Sequence, residues 1–148
     1  MAVKLDDTGI IFQRGTSIND MKAPVARILL VDDDLHIRSL GREFLEKLGY
    51  GVETAETGEE VLARFRQDRP LDLVILDYHL PGIDGLEVVR RLKEICPETE
   101  VLVASGFFSN GEKKQLMAGG ARGFLTKPFR LGELRSRIEE ILGGRREI

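Results

Sequence analysis

The sequence predicts one α/β domain, a doubly wound five-stranded parallel sheet with helices on both faces, and three observations predict it. Five short strand-like runs alternate with five segments of helical period. Glycine or proline punctuates the junctions between them. Polar and acidic residues gather where these runs end, which is where an open α/β sheet holds its ligands. Strands that alternate with helices pair in parallel, and right-handed crossovers place all their carboxyl ends on one edge.

Residues 1–24 lack sustained periodicity and are broken by Gly9, Gly15, Asn19 and Pro24, so they are expected to form a flexible extension with room for one short strand. Ile28–Val31 is the first strand of the domain, ended by Asp32-Asp33-Asp34. The helix after it should bury Ile37, Leu40, Phe44, Leu45 and Leu48 and close at Gly49. Tyr50–Ala55 is the second strand. Thr57-Gly-Glu-Glu60 has capping-box spacing, and Val61, Leu62 and Phe65 carry a helix toward Pro70.

Leu71–Asp77 is the most apolar strand and carries Asp77 at its end, followed by the turn Pro81-Gly82. Its helix packs through Leu86, Val89, Leu92 and Ile95 until Pro97 stops it. Val101–Ser105 is the fourth strand, and Asn110–Gly119 a weakly patterned helix. Gly123–Thr126 leads into Lys127-Pro128 as the fifth strand. Leu131, Leu134, Ile138, Ile141 and Leu142 mark the last helix, with residues 144–148 as a tail.

Composition narrows the classes. The 148 residues suit one core, with 42% hydrophobic and 32% charged residues. A net charge of -3 argues against direct nucleic-acid binding. Cys96 is the single cysteine, which excludes an internal disulfide and fits a reducing compartment. No apolar stretch approaches the roughly 20 residues of a membrane span, so a cytoplasmic protein without membrane insertion is expected.

The strand ends together deliver Asp32, Asp33 and Asp34, then Asp77, Ser105 and Lys127. Carboxylates collected at one place repel one another and take up protons unless a cation sits among them. An all-oxygen set suits a hard ion such as Mg2+. A metal, an ammonium and a hydroxyl around one carboxylate suit a phosphoryl group carried on that carboxylate.

Val31-Asp32-Asp33, Leu76-Asp77-Tyr-His-Leu-Pro81 with Asp84-Gly85, Val103-Ala-Ser105-Gly and Lys127-Pro128-Phe129 together resemble the response-regulator receiver domains of two-component signalling. The resemblance runs from about Arg27 to Leu142, within a domain drawn at residues 25–143. It implies a flavodoxin-like strand order 2-1-3-4-5. It implies that Asp77 is phosphorylated by a sensor histidine kinase or histidine phosphotransfer protein. Asp33 and the His79 backbone carbonyl would ligate Mg2+ with Asp77, and Asp32 would act mainly through water. Ser105 and Lys127 would bind the phosphoryl group, with Phe124 as aromatic switch. The Lys127–Pro128 peptide would be cis. His79 and Phe107 fall where receivers tune the phosphorylated lifetime. The modified domain would dock a downstream protein, and could form a homodimer, through the face of strand four, helix four and strand five. Its only catalysis would be of its own phosphorylation and dephosphorylation.

Plainer readings stand beside these. Asp34 reads as a helix N-cap and Asp84 as a helix start; His36 and Arg145-Arg146 read as solvated, and Cys96 as a spectator. Of Phe107 and Phe108, one should be exposed. No output module follows Leu142 in the sequence, so either a stand-alone receiver or one cut from a larger protein, such as the C-terminus of a hybrid sensor kinase, is expected. An aspartyl-nucleophile phosphatase would want a second acid where His79 stands. A phosphorylation-independent adaptor would not need the full acid and lysine set.

Overall fold

The computed structural model describes residues 3–5, 11–13, 24–67 and 70–146. Two short strands, β1 (Val3–Leu5) and β2 (Ile11–Gln13), pair antiparallel, with Lys4 opposite Phe12. Three-residue strands are too short to show periodicity, which is why one strand at most was expected there. The remainder of that extension, and its expected flexibility, lie outside the described residues.

The domain proper runs β3 (Arg27–Val31), α1 (Leu35–Lys47), β4 (Gly51–Ala55), α2 (Gly58–Arg64), β5 (Leu73–Asp77), α3 (Gly85–Ile95), β6 (Glu100–Ser105), α4 (Asn110–Gly119), β7 (Gly123–Thr126) and α5 (Leu131–Arg146). Its sheet is parallel throughout in the order β4-β3-β5-β6-β7. Counted within the domain this is 2-1-3-4-5, as expected.

Strand alternation builds two cores. Leu29, Val31, Val74, Leu76, Val101 and Val103 face α2, α3 and α4, while Ile28, Leu30, Leu73, Ile75 and Leu102 face α1 and α5. Each such side chain, fully buried, contributes on the order of 1.5–3 kcal/mol.

Four helical expectations need correction. In α1 the buried residues are Arg38, Gly41 and Leu45, whereas Ile37 and Leu40 are exposed. Gly41 allows the close approach of helix and sheet: a Cβ there would lie 2.6 Å from the Leu30 Cδ2. Ile37 and Leu40 instead line an apolar groove of 420 Å³ with Pro128, Phe129, Leu131 and Leu134. Helix α2 stops at Arg64, well before Pro70, and the Arg64 guanidinium turns inward to Glu53 on β4, donating from Nη2 at 2.8 Å. Its last turn tightens through bonds from Arg66 N–H to the Ala63 carbonyl and from Gln67 N–H to the Arg64 carbonyl. In α3 the buried stripe is Leu86, Val88, Val89 and Leu92, and Ile95 is exposed at the helix end. The last helix continues to Arg146, so it takes in part of the expected tail.

The caps also divide differently. Thr57 accepts the Glu60 N–H, yet the Glu60 carboxylate takes the N–H of Glu56, one residue before the cap. The reciprocal box belongs to α4, where Ser109 and Glu112 hold each other's N–H. Asp34 caps α1 by accepting from His36 and Ile37, and Asp84 caps α3 by accepting from Leu86.

Candidate functional site

The site lies at the carboxyl edge of the sheet. β3 ends at Val31 and delivers Asp32; β5 ends at Asp77; the β7 chain leaves the sheet at Thr126 and delivers Lys127. Parallel pairing with Val31 opposite Leu76 and Asp77 opposite Ala104 sets these ends level. Residues far apart in sequence are therefore brought together by register alone.

One carboxylate oxygen from each of Asp32, Asp33 and Asp77 lies within 4.8 Å of the others. Asp32 and Asp77 are buried, at 3% and 7% exposure, and Asp33 is exposed. The Lys127 Nζ donates to Asp32 Oδ2 at 2.9 Å and lies 3.3 Å from Asp77 Oδ2. Burial lowers the Lys127 pKa, but the hydrogen bond to Asp32 and the charges of Asp77 and Asp32 outweigh it and hold the ammonium above the ordinary 10.5. A single ammonium against three carboxylates leaves a net negative pocket. All the side-chain donors are oxygens, so the residues present fit a hard divalent ion such as Mg2+.

The pocket is fixed from behind by backbone bonds. Asp32 donates its N–H to the Ala55 carbonyl at 3.1 Å, and its Oδ1 accepts the Asp34 N–H at 2.9 Å. Asp77 Oδ1 accepts the His79 N–H at 3.2 Å, and Tyr78 donates its N–H to the Ala104 carbonyl. Gly85 at the start of α3 abuts this loop: a Cβ there would lie 2.9 Å from the Tyr78 carbonyl oxygen. The Lys127–Pro128 peptide is cis.

On the other side the Ser105 hydroxyl, fully buried, donates to the Phe107 carbonyl at 2.9 Å and accepts the Phe107 N–H at 3.3 Å. It is therefore bound to its own loop. Phe107 is 72% exposed and Phe108 only 8%, so the adjacent aromatics divide as expected. The Phe108 ring packs at 5.1 Å from that of Phe124, which is half-buried beneath the Lys113 Nζ at 6.0 Å. Tyr78 links the acidic loop to the same aromatic group, 5.1 Å from His79 and 6.1 Å from Phe108. Burial, then the negative charges of Asp84 and Glu112, raise the Tyr78 pKa, so its hydroxyl stays protonated at neutral pH. The His79 and His36 side chains are exposed.

Sequence reasoning missed Arg38 and Glu56. The Arg38 guanidinium is buried behind the pocket, donating from Nη1 to the Asp32 carbonyl and from Nη2 to Glu56 Oε1. A charge inside an amphipathic helix reads as solvent-facing, and no pattern of spacing signals a bond to a backbone carbonyl.

The family model for the response regulator receiver domain matches residues 28–139. The chain belongs to this receiver family. The response regulator MprA of Mycolicibacterium vanbaalenii is 41% identical over 116 residues, which are 78% of this chain and 50% of that protein. MprA of Mycobacterium leprae matches over the same shares at 41%. The chain thus spans about half the length of the curated relatives it matches. Among solved structures, a CheY-like receiver domain protein of Methanospirillum hungatei superposes with a TM-score of 0.76 at 30% identity, over 80% of this chain and 94% of that one. The chemotaxis protein CheY4 of Vibrio cholerae gives 0.73 at 32%, over 78% and 98%. Among the described residues, no helix is long and apolar enough to cross a membrane.

Proposed function

We propose that this receiver takes a phosphoryl group from a phosphohistidine onto Asp77, with Mg2+ bound, and that the modification alters a protein-docking face. One observation carries the reading: three carboxylates meet within 4.8 Å, and the Lys127 ammonium bonds two of them at their rim.

In the transfer, an Asp77 oxygen attacks phosphorus as the P–N bond of the donor breaks, and the imidazole leaves with the bonding pair and takes a proton. Asp33, Asp77 and the His79 carbonyl would hold the ion, with Asp32 acting mainly through water. When bound, Mg2+ supplies charge neutralisation to the phosphoryl oxygens. Lys127 pairs with the new negative charge from the opposite side, and the backbone bonds of Asp32 and Asp77 keep the pocket from reorganising. Hydrolysis reverses the modification: water attacks phosphorus and the Asp77 carboxylate leaves. The protein catalyses only these steps on itself.

The switch is the Ser105 hydroxyl. To donate to a phosphoryl oxygen it releases the Phe107 carbonyl, exchanging a neutral hydrogen bond for a stronger charge-assisted one. That frees residues 105–108, and with them the ring of Phe108 against Phe124. Phe124 can then turn toward the space Ser105 leaves, which biases two arrangements of β6, α4 and β7. His79 and Phe107 would lengthen the modified state by screening water from Asp77. Because Phe107 is exposed while it holds Ser105, its screening begins only once that loop moves.

The domain begins at residue 25 and runs through α5, acts in the cytoplasm, and offers the β6-α4-β7 face for homodimerisation. The relatives named above are response regulators, which favours that origin over a hybrid sensor kinase. Incubation with acetyl phosphate and Mg2+, followed by mass spectrometry, tests the reading. The wild type should gain one phosphoryl group that Asp77→Asn does not; an unmodified wild type overturns it.

A further inference from the structure

The buried guanidinium of Arg38 is the feature the proposed chemistry leaves unused. It reaches back six residues from α1 to the carbonyl of Asp32, at 2.8 Å, and sideways to Glu56 beyond the end of β4, at 3.1 Å. Its side chain is 11% exposed, against 58% for Glu56. A buried charge is costly unless paired and hydrogen-bonded, so a residue with no task at this position would be expected to be apolar.

The two cations near the acids act differently. Lys127 bonds carboxylate oxygens of Asp32 and Asp77, the atoms a metal would need. The bonds of Arg38 to this region go to a backbone carbonyl and to Glu56, and they leave the carboxylates free. Arg38 is also charge-balanced by Glu56, so its effect on the pocket is geometric more than electrostatic. Together with the Ala55 carbonyl on the Asp32 N–H, it closes the backbone of Asp32 from both sides.

We propose that Arg38 is a positioning residue for the divalent-ion site, locking the β3 terminus, through the Asp32 carbonyl and Glu56, at the place where Asp32 and Asp33 can share an ion with Asp77. This rests on the reading of that pocket as a Mg2+ site. Outer partners that orient ligands typically account for 10–100-fold in metal affinity. Arg38 touches none of the three clustered carboxylates and acts through the Asp32 carbonyl and Glu56.

The test is calorimetric titration of the full chain with Mg2+, for wild type, Arg38→Lys, Arg38→Met and Asp33→Asn, with thermal unfolding in metal-free buffer alongside. Lysine keeps the charge but lacks the fork that reaches both partners; methionine removes the charge as well. If Arg38 positions the site, both Arg38 variants weaken Mg2+ by about tenfold or more. The Mg2+ needed for half-maximal modification by acetyl phosphate rises likewise, and saturating Mg2+ restores the rate. If Arg38 mattered only as a charge, Arg38→Met would bind Mg2+ more tightly and Arg38→Lys would match wild type, which overturns the proposal. Should the methionine variant fail to fold, the lysine variant decides by the same criterion. Mg2+ binding that is absent from wild type, or that Asp33→Asn leaves unchanged, defeats the pocket reading itself, whereas binding that Asp33→Asn weakens and both Arg38 variants leave unchanged defeats only the role of Arg38.

Discussion

The two flanks of Asp77 are held in different ways. On the β3 side, Asp32 is bonded at its N–H, its carbonyl and both carboxylate oxygens, by Ala55, Arg38, Asp34 and Lys127. On the β6 side, the Ser105 carbonyl accepts the Lys127 N–H, and its hydroxyl bonds only to Phe107, two residues on. The helices follow suit. α3 buries Gly85, Leu86, Val88, Val89 and Leu92, while α4 buries Leu116 alone and relies on its caps. A site that must keep an ion in place on one side and change shape on the other needs this asymmetry. Low local burial is what makes an element able to move at small cost.

The largest effect that would sharpen the contrast is Leu116→Ala. Removing the single anchor of α4 should cost about 2–5 kcal/mol. Hydrogen exchange should show the loss concentrated in α4, with β3 and β5 amides least affected; equal loss in all three would break the comparison.

Lys127→Met probes the anchored flank. It leaves the buried acids of Asp32 and Asp77 without their ammonium and should cost about 1–3 kcal/mol in denaturant unfolding near neutral pH. The sign with pH follows from the raised Lys127 pKa. Its stabilisation is complete below the unfolded value near 10.5 and is lost as pH rises through the higher folded value. The gap between wild type and variant should therefore hold at neutral pH and close only above about pH 10.5. A gap that closes as pH rises through neutrality would contradict this account of the pair.

Ser109→Ala is the smallest change. Losing the capping box should cost about 1 kcal/mol, seen as faster exchange in the first turn of α4 with Asp34-capped α1 unaffected. Unchanged exchange in α4 would mean the helix is held by more than its cap and Leu116.

Much of this was legible from the residues. Runs ending in aspartate, serine or lysine marked four of the five strands, and register did the rest by bringing Asp32, Asp77 and Lys127 to one edge. What stayed hidden depended on contacts that no local pattern encodes. Arg38 and Arg64 both point inward, each bonded to a glutamate at or just beyond β4, whereas periodicity assigns charged residues to solvent. Ile37 and Leu40 satisfy the helical stripe yet line an open groove, because Gly41 lets α1 approach the sheet on a neighbouring face. Two serine or threonine caps with a glutamate three residues on look alike in sequence, and only at Ser109 does the glutamate return to its own cap.

The most direct test of the central claim, that charge placed on Asp77 is read out through the loosely held flank, is an amide NMR titration with beryllofluoride and Mg2+. The account predicts large shifts at Ser105, Phe107, Phe124 and along α4, with small ones in α3. Absence of binding, or changes confined to the acids with α4 unmoved, would contradict it.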